Sequence, residues 1–330
     1  MKDKKITVGV LMGGPSSERE VSLVTGQAVL NGLDKTKYKA VAIEMTKDCK
    51  FNMFVGKKKV AVDFVNKHRN YFDIIFIALH GSPGEDGGVQ GLFETLGIKY
   101  TGPGVLASAL AMNKVFAGQI YLVNHLPHPE FINVKKEGWK KYSVEVLKEV
   151  KEKIGYPCVV KPVDQGSAVG VSIVQNEKEL VTAFNKTVNK YPWLMVQKFI
   201  KGQEGTCGVV EKNGQMIPLP PTHIKPNLGS FYDYKSKYKA GGSTHICPAD
   251  FSQEINERMQ VLAQMAHKAL RCVGMSRTDM FVEDNGNIWI IETNTIPGMT
   301  ATSLFPESAK AAGISFPKLL DMVVTSGLKR

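Results

Sequence analysis

The sequence has few cysteines, and their spacing suits neither a metal site nor a disulfide framework. Its five cysteines are scattered without a Cys-x-x-Cys pair, and an odd number cannot pair completely within one chain. The seven histidines form no His-x-x-x-His pair either. We therefore expect inert thiols, and the histidine spacing argues against a zinc hydrolase.

A long apolar run is also missing at the N-terminus. The apolar stretch Ile6–Met12 follows Met1–Lys5 and is too short for a signal segment or a membrane span. The composition, with 43% hydrophobic and 22% charged residues, is that of a folded globular protein and excludes a disordered or collagen-like chain. We therefore expect a soluble cytoplasmic protein with no membrane partner, and 330 residues leave room for two or three domains.

Acidic residues are outnumbered, 31 against 42 basic residues, which gives a formal net charge of +11. Such an excess suggests a polyanionic partner, for example a nucleic acid or a nucleotide. No predicted element, however, combines clustered lysines with stacking aromatic residues. We therefore expect no nucleic-acid partner and assign most of the charge to a solvated surface.

The chain opens with a strand, a glycine turn and a helix. Ile6–Met12 reads as a buried strand, and Gly13-Gly14-Pro15 reads as the turn. The spacing of Ser17 and Glu20 predicts a capping box, which would open a helix that ends near Gly32.

A second buried strand, Asp73–His80, also runs into a glycine-rich turn. Two such strands predict a parallel sheet, with ligands bound beyond the carboxyl ends of its strands. In these turns Glu18 suits an amine and His80 suits a carboxylate. Glu85 is equally well explained as a plain turn residue.

Beyond Tyr156 the pattern changes to paired strands. Lys161 ends an apolar strand and precedes a loop with two glycines, so its ammonium and the loop amides could bind phosphate. A strand-end lysine that merely reaches solvent fits as well. The segment is not a Walker loop, because no Gly-Lys-Ser/Thr opens a helix. The later segment Pro220–Pro248, rich in Pro, Gly, Lys and Tyr, is predicted to be a functional loop.

Two apolar strands near the C-terminus flank the dipeptide Asn285-Gly286, a strong hairpin signal. If these two residues centre the turn, Asp279 lies opposite Glu292, and Asn294 shares their face. Opposed carboxylates repel, and a hard divalent cation between them would reverse that penalty. The alternative is a set of solvated residues at the mouth of a hairpin.

With these residues in place, the chain resembles the ATP-grasp superfamily and, within it, the D-alanine:D-alanine ligase family, over nearly its whole length. The resemblance rests on motifs in the family's order: Gly13–Leu23, Leu79–Gly91, Tyr100–Lys114, Val160–Val171, Phe231–Tyr238, Arg277–Asp279 and Glu292–Leu304.

The resemblance implies a multidomain α/β and α+β fold. An N-terminal domain with an open parallel sheet (1–102) would precede a two-domain ATP-grasp unit with antiparallel sheets (103–196 and 197–330). The implied reaction joins two D-alanine molecules through a D-alanyl phosphate at the expense of ATP, for peptidoglycan precursor synthesis. The implied cofactors are ATP and two Mg²⁺ ions, with Mn²⁺ as an alternative, and a homodimer is expected.

The resemblance also assigns roles to individual residues. The implied catalytic residues are Glu18, Ser167, Tyr238, Arg277 and the Gly298 amide. Those for ATP are Lys114, Lys161, Gln197, Lys198, Phe199, Ile200, Glu204 and Lys237. Those for the substrates are Glu18 and His80 for the first D-alanine and Ser303 and Leu304 for the second. Those for metal are Asp279, Glu292 and Asn294.

Two positions depart from the family pattern: Gln197 stands where glutamate is common, and Ala168 where a second serine is common. Both concern nucleotide affinity more than the transfer chemistry. The alternatives that stay open are a D-alanine:D-lactate or D-alanine:D-serine ligase on the same fold, and a nucleotide- or nucleic-acid-binding protein without turnover.

Overall fold

The computed structural model describes residues 4–56, 58–166, 168–227, 242–300 and 302–330. Within these ranges the chain forms a five-stranded, a four-stranded and a six-stranded sheet. The predicted α/β and α+β architecture is confirmed, because the first sheet has a parallel core and the other two are antiparallel.

The five-stranded sheet has the order β4-β3-β2-β1-β5. Its strands are β1 (Ile6–Gly13), β2 (Tyr38–Met45), β3 (Phe51–Val55), β4 (Lys58–Ala61) and β5 (Ile74–Ile77). The predicted parallel arrangement holds for β1, β2 and β5, whereas β3 and β4 add an antiparallel edge that the sequence pattern did not predict. The helices α1 (Arg19–Gly32) and α2 (Gly88–Leu96) contribute to its apolar core.

The predicted capping box of α1 is wrong. The helix begins at Arg19 after Glu18, and no side chain caps it. Instead the Ser16 hydroxyl accepts a hydrogen bond from the Glu18 amide at 3.1 Å and donates one to the His80 carbonyl at 2.6 Å. Ser16 therefore ties the loop after β1 to the segment that follows β5. As a result, Glu18 and His80 lie side by side.

The four-stranded sheet has the order β6-β9-β7-β8 and is antiparallel throughout. Its strands are β6 (Phe131–Lys135), β7 (Cys158–Pro162), β8 (Ser172–Val174) and β9 (Trp193–Lys198). Helix α5 (Lys136–Glu149) continues as a π-helical turn (Val150–Ile154), and α6 (Glu177–Thr187) packs beside it. The rings of Trp139 and Phe184 stack at 4.3 Å between the two helices.

The six-stranded sheet follows the order β13-β12-β10-β14-β15, with β11 paired to β10. Its strands are β10 (Gln203–Lys212), β11 (Gln215–Pro218), β12 (Thr222–Pro226), β13 (Ser243–Ile246), β14 (Met275–Val282) and β15 (Ile288–Asn294). The helices that follow its strands are α7 (Gln253–Ala269), α8 (Leu304–Ala311) and α9 (Phe316–Leu328). The last of these contacts both β10 and β5, and so joins the C-terminal sheet to the N-terminal one.

The segment after Gly102 forms two helices, α3 (Val105–Met112) and α4 (Lys114–Val123), bent by 104°. The break lies at Asn113, whose side chain accepts hydrogen bonds from the Val115 and Phe116 amides in the first turn of α4. No single helix in the described part of the chain is long and apolar enough to cross a membrane, although α3 and α4 together pass that test by length and composition.

The division at residues 102 and 196 stays a prediction. Strand β9 continues to Lys198 within the four-stranded sheet. Residues of α3 and α4 share an apolar core with the six-stranded sheet. We propose that the second boundary falls after Lys198, because a cut at 196 would divide a paired strand.

The close approach of β10 to α8 leaves no room for a side chain at Gly208. A Cβ atom there would lie 2.8 Å from the Phe305 ring and 2.9 Å from Leu219. We expect Gly208→Ala to lower the thermal unfolding midpoint, through overpacking of about 1 to 3 kcal/mol. The control is Gly138→Ala in α5, where a Cβ meets nothing within 4 Å and helix propensity should hold or raise stability by about 0.5 to 1 kcal/mol. Equal midpoints for the two variants would contradict this packing.

Candidate active site

The β14–β15 hairpin brings the predicted acidic residues together. Asp279 pairs with Glu292, as predicted, and Arg277 pairs with Asn294 on the same face. The predicted two-residue turn, however, is wrong. Glu283 and Gly286 close a longer turn through the bonds Glu283 N–H to Asn287 O and Gly286 N–H to Glu283 O, both 2.9 Å.

A β-bulge restores the register that the longer turn would have shifted. Met280 pairs with Ile290 while Asp279 pairs with Glu292, so Ile291 is an extra residue on β15. The bulge places Ile291 and Glu292 against the same cleft. The Glu292 carboxylate therefore lies opposite Asp279 because β15 has one residue more than β14 at the bulge.

Asp279 is held by three side chains and is almost fully buried. The Arg277 guanidinium donates two parallel hydrogen bonds to its two oxygens, both 3.0 Å, and the Asn294 amide donates one at 3.0 Å. The Thr206 hydroxyl on β10 donates a further bond. Charge-assisted bonds of this kind fix the carboxylate and the guanidinium in one orientation.

Two lysines approach the carboxylates from other elements. Lys114, the first residue of α4, lies 3.2 Å from a Glu292 oxygen and donates to the Gln165 carbonyl at 2.8 Å. Lys161, at the end of β7, donates to the Gln197 side-chain oxygen at 2.8 Å. Burial lowers the pKa of Lys161 to about 8, and the charge of Lys114 lowers it in the same direction.

A mostly apolar cleft with about 900 Å³ of open space lies between the two antiparallel sheets. Its mostly apolar walls suit a flat organic ligand with a few polar anchors. Every residue assigned to ATP within the described ranges lines it: Lys114, Lys161, Gln197, Lys198, Phe199, Ile200 and Glu204.

A second cleft, with about 1080 Å³ of open space, adjoins the first and lies towards the Arg277 and Asn294 ends of the two hairpin strands. It is lined by the residues assigned to substrate and transfer: Glu18, His80, Arg277, Gly298, Ser303 and Leu304. Glu204, Asp279 and Glu292 line both clefts. The carboxylates therefore stand where the two clefts meet.

The second cleft also contains Glu85, which the sequence pattern explained equally well as a turn residue. Glu85 accepts a hydrogen bond from the Gly81 amide at 2.6 Å and lines the same cleft as Glu18. Desolvation, with a smaller contribution from the charge of Glu18, raises the pKa of Glu85 to about 8. An acidic residue in a glycine turn directly after a buried strand was the available signal.

His80 is buried and lies 3.0 Å from the Thr25 hydroxyl. Burial lowers its pKa, against the opposing effect of the Glu18 charge. His80 therefore offers a substrate a hydrogen bond rather than a positive charge. Ser167, Lys237 and Tyr238, all assigned to the site by sequence, lie outside the described residues.

The donor set on the hairpin fits a hard cation. Two carboxylates and an amide oxygen are the ligand types that Mg²⁺ takes together with substrate phosphates. Among the described residues no group of three His, Cys, Asp or Glu side chains is suited to a metal on its own. Asp279, Glu292 and Asn294 would fill only part of the octahedral shell of Mg²⁺, and oxygens of phosphate or water would complete it.

Comparison with known proteins identifies the family. The family model described as the D-ala D-ala ligase N-terminus matches residues 7–103, and the one described as the D-ala D-ala ligase C-terminus matches residues 122–325. A D-alanine--D-alanine ligase of Pelotomaculum thermopropionicum is 44% identical over 320 residues, which is 97% of this chain and 96% of that protein. One of Syntrophobacter fumaroxidans is 43% identical over 331 residues and both chains are covered completely, 100% each.

Solved structures of ligases superpose on this chain over nearly its whole length. The VanG D-Ala:D-Ser ligase of Enterococcus faecalis superposes with a TM-score of 0.88 at 30% identity, over 98% of this chain and 100% of that chain. A D-alanine--D-alanine ligase of Bacillus anthracis complexed with ATP superposes with a TM-score of 0.79 at 33% identity, over 98% of both chains.

The two antiparallel sheets that enclose the first cleft, with the carboxylates at its end, define an ATP-grasp ligase fold. Within that class the chain belongs to the D-alanine–D-alanine ligase family.

The raised pKa of Glu85 links stability to pH. Its folded-state pKa lies above its ordinary 4.5, at about 8, so the folded protein binds more protons than the unfolded chain in that window. The stabilisation from protonated Glu85 is complete below about pH 4.5 and is lost as the pH rises towards about 8. We expect the unfolding midpoint of the ligand-free protein to fall over this range, and Glu85→Gln to flatten the fall.

The matched control for that measurement is Glu20→Gln, which changes an exposed carboxylate on α1. It should keep the slope of the unaltered protein. A slope in Glu85→Gln equal to that of the control would contradict a protonated Glu85.

Proposed function

We propose that the chain ligates two D-alanine molecules to D-alanyl-D-alanine, with formation of a D-alanyl phosphate and release of ADP and phosphate. The product is a peptidoglycan precursor. The observation that carries the proposal is the junction of two clefts at Asp279 and Glu292, in a chain of this family.

The nucleotide belongs in the cleft between the antiparallel sheets. Its apolar walls accept a base, and the Gln197–Ile200 segment supplies hydrogen-bonding groups to the edge of that base. Glu204, which lines both clefts, is assigned to the ribose. Lys114 and Lys161 approach the hairpin from two elements, and their charges suit phosphate oxygens.

A carboxylate resists attack by an amine, so it must first become an acylphosphate. Phosphoryl transfer requires mainly positioning and neutralisation of charge. Asp279, Glu292 and Asn294 would hold two Mg²⁺ ions, or Mn²⁺, which neutralise charge on the phosphates when bound. The lysines and the hairpin keep the phosphates aligned with the second cleft.

The amino acids belong in the second cleft. Glu18 suits the ammonium of the first D-alanine, and the neutral His80 suits its carboxylate. Ser303 and Leu304 would bind the carboxylate of the second D-alanine. When its amine attacks the acyl carbon, Arg277 and the Gly298 amide would stabilise the oxyanion, because the guanidinium stays protonated and offers a fixed fork of donors.

Three further assignments rest on the family resemblance, since their residues lie outside the described ranges. Ser167 and Tyr238 would bond to Glu18, and Lys237 would reach the phosphates. A loop carrying Tyr238 over the site would keep the acylphosphate from water. The homodimer and the cytoplasmic location likewise remain proposals.

The reaction is tested by phosphate release with ATP and Mg²⁺. We expect release with D-alanine and none with L-alanine, because L-alanine that kept its ammonium at Glu18 and its carboxylate at His80 would exchange the positions of its methyl group and its α-hydrogen. Because one similar structure is a D-Ala:D-Ser ligase, separate reactions contain D-serine, and D-alanine plus D-lactate. Absence of release with D-alanine would overturn the proposal, and a preference for a mixed product would redirect it.

The site assignment is tested by Arg277→Ala and Glu292→Ala. Loss of an oxyanion donor costs about 10² to 10³ in kcat, and we expect at least this loss in Arg277→Ala. Glu292→Ala should abolish phosphate release, because it removes a metal ligand and the partner of Lys114. Arg258→Ala, an exposed arginine on α7, is the control and should turn over normally. Near-normal turnover in Arg277→Ala or Glu292→Ala would remove that residue from the site.

A further inference from the structure

A buried histidine that the sequence argument did not single out lies between the two sheets of the nucleotide cleft. His128, in the segment between α4 and β6, is 3% exposed. Its Nδ1 lies 2.8 Å from the carbonyl of Ile290 on β15, and its Nε2 lies 3.0 Å from the side-chain nitrogen of Gln197 on β9. The neighbouring Pro127 carbonyl accepts the Ile290 amide at 2.8 Å. This segment therefore fastens the edge of one sheet to the other.

Lys161, Gln197, His128 and Ile290 form a series of hydrogen bonds, and the direction of each bond follows from the two ends of the series. The Lys161 ammonium can only donate, so the Gln197 oxygen must face it and the Gln197 NH₂ group must face His128. At the other end the Ile290 carbonyl can only accept, so the Nδ1 of His128 must carry the hydrogen. Both ends require the same neutral imidazole, with a lone pair on Nε2 that accepts from Gln197.

We propose that His128 is a positioning residue that orients Gln197 and, through it, Lys161, and that His128 and Gln197 form a matched pair. The effect on catalysis rests on the proposed function, whereas the pair itself does not. Gln197 then replaces the glutamate common at this position because His128 requires a hydrogen-bond donor there.

A glutamate at 197 would place a carboxylate oxygen against the Nε2 lone pair. The imidazole could respond by binding a second proton, which it would have to do against the burial and the Lys161 charge that lower the pKa of His128 to about 3 in the unaltered protein. It could instead move its hydrogen to Nε2, which would set the bare Nδ1 against the Ile290 carbonyl. The first response would place a charged ring in a buried site, and the second would leave two acceptors, Nδ1 and the Ile290 carbonyl, facing each other.

The ring also has no room to retreat. Gly118 on α4 packs directly against it, and a Cβ atom at Gly118 would lie 2.7 Å from Nε2. The rings of Tyr121 and Phe131 lie 5.4 and 5.5 Å from the imidazole. The mismatch would therefore pass to Gln197 and Lys161 rather than be relieved locally.

The neutral amide has a consequence for charge. Lys161 bonds to an uncharged partner on β9, Lys114 on α4 adds a second positive charge, and Glu292 on β15 is the carboxylate that acts on both. A glutamate at 197 would compensate the charge of Lys161 before any phosphate arrives. Gln197 leaves that charge for the nucleotide.

The pair is tested by a double-mutant cycle of Gln197→Glu and His128→Thr. We expect Gln197→Glu alone to raise the KM for ATP about tenfold, with a smaller effect on kcat. In the His128→Thr background, where no ring lone pair faces the carboxylate, the same change should cost less than about threefold. Equal costs in the two backgrounds would overturn the matched pair. His125→Asn, an exposed histidine three residues away, is the control.

A second measurement needs no substrate. ¹⁵N NMR of the ligand-free protein at neutral pH should show His128 as a neutral ring with its hydrogen on Nδ1, the signal being assigned by its loss in His128→Thr. Gln197→Glu should convert it to the other tautomer or to the imidazolium. A hydrogen on Nε2 in the unaltered protein would overturn the proposal even if the enzyme is active. If D-alanine releases no phosphate, the proposed reaction fails. The four proteins of the cycle are then compared by their affinity for ADP, measured by calorimetry, and that comparison still tests the matched pair.

Discussion

Two carboxylates placed opposite each other on one hairpin are the constraint around which the rest of the site is built. Asp279 and Glu292 would repel each other across β14 and β15 if no cation stood near them. Arg277 and Lys114 supply positive charge in the described structure. Lys114, at the start of α4, lies 3.2 Å from Glu292, and Arg277 donates to both oxygens of Asp279, so each carboxylate has a cation of its own.

The same constraint explains why three sheets meet here. The four-stranded sheet contributes Lys161 at the end of β7, the six-stranded sheet contributes the carboxylates, and the turns after β1 and β5 contribute Glu18 and His80. Among the described residues, both antiparallel sheets line the first cleft, whereas the six-stranded sheet and the turns after β1 and β5 line the second. Chemistry that passes a phosphoryl group from one ligand to another requires both clefts, joined where the charge is concentrated.

Local sequence patterns predicted those strands and turns that depend on residues close together in the sequence. Periodicity and turn chemistry predicted the strands β1 and β7 and the hairpin at Asn285-Gly286. The hairpin register at Asp279 was correct although its turn was wrong, because the bulge at Ile291 compensates for the longer turn. Strands β6, β12 and β13 pair with distant partners, and nothing local marks a bulge or the contact of Ser16 with His80. Those features depend on tertiary packing that a single sequence does not display.

Gln197 shows the same limit at the scale of one residue. Compared with the family pattern alone, an amide in place of a carboxylate reads as a weakened nucleotide site. In the fold the amide lies between a lysine that can only donate and an imidazole whose free lone pair can only accept. An amide has both an acceptor and a donor and satisfies both neighbours, whereas a carboxylate satisfies one. A departure from a family motif is therefore best judged against the buried partners of the residue, which lie far away in sequence and close in space.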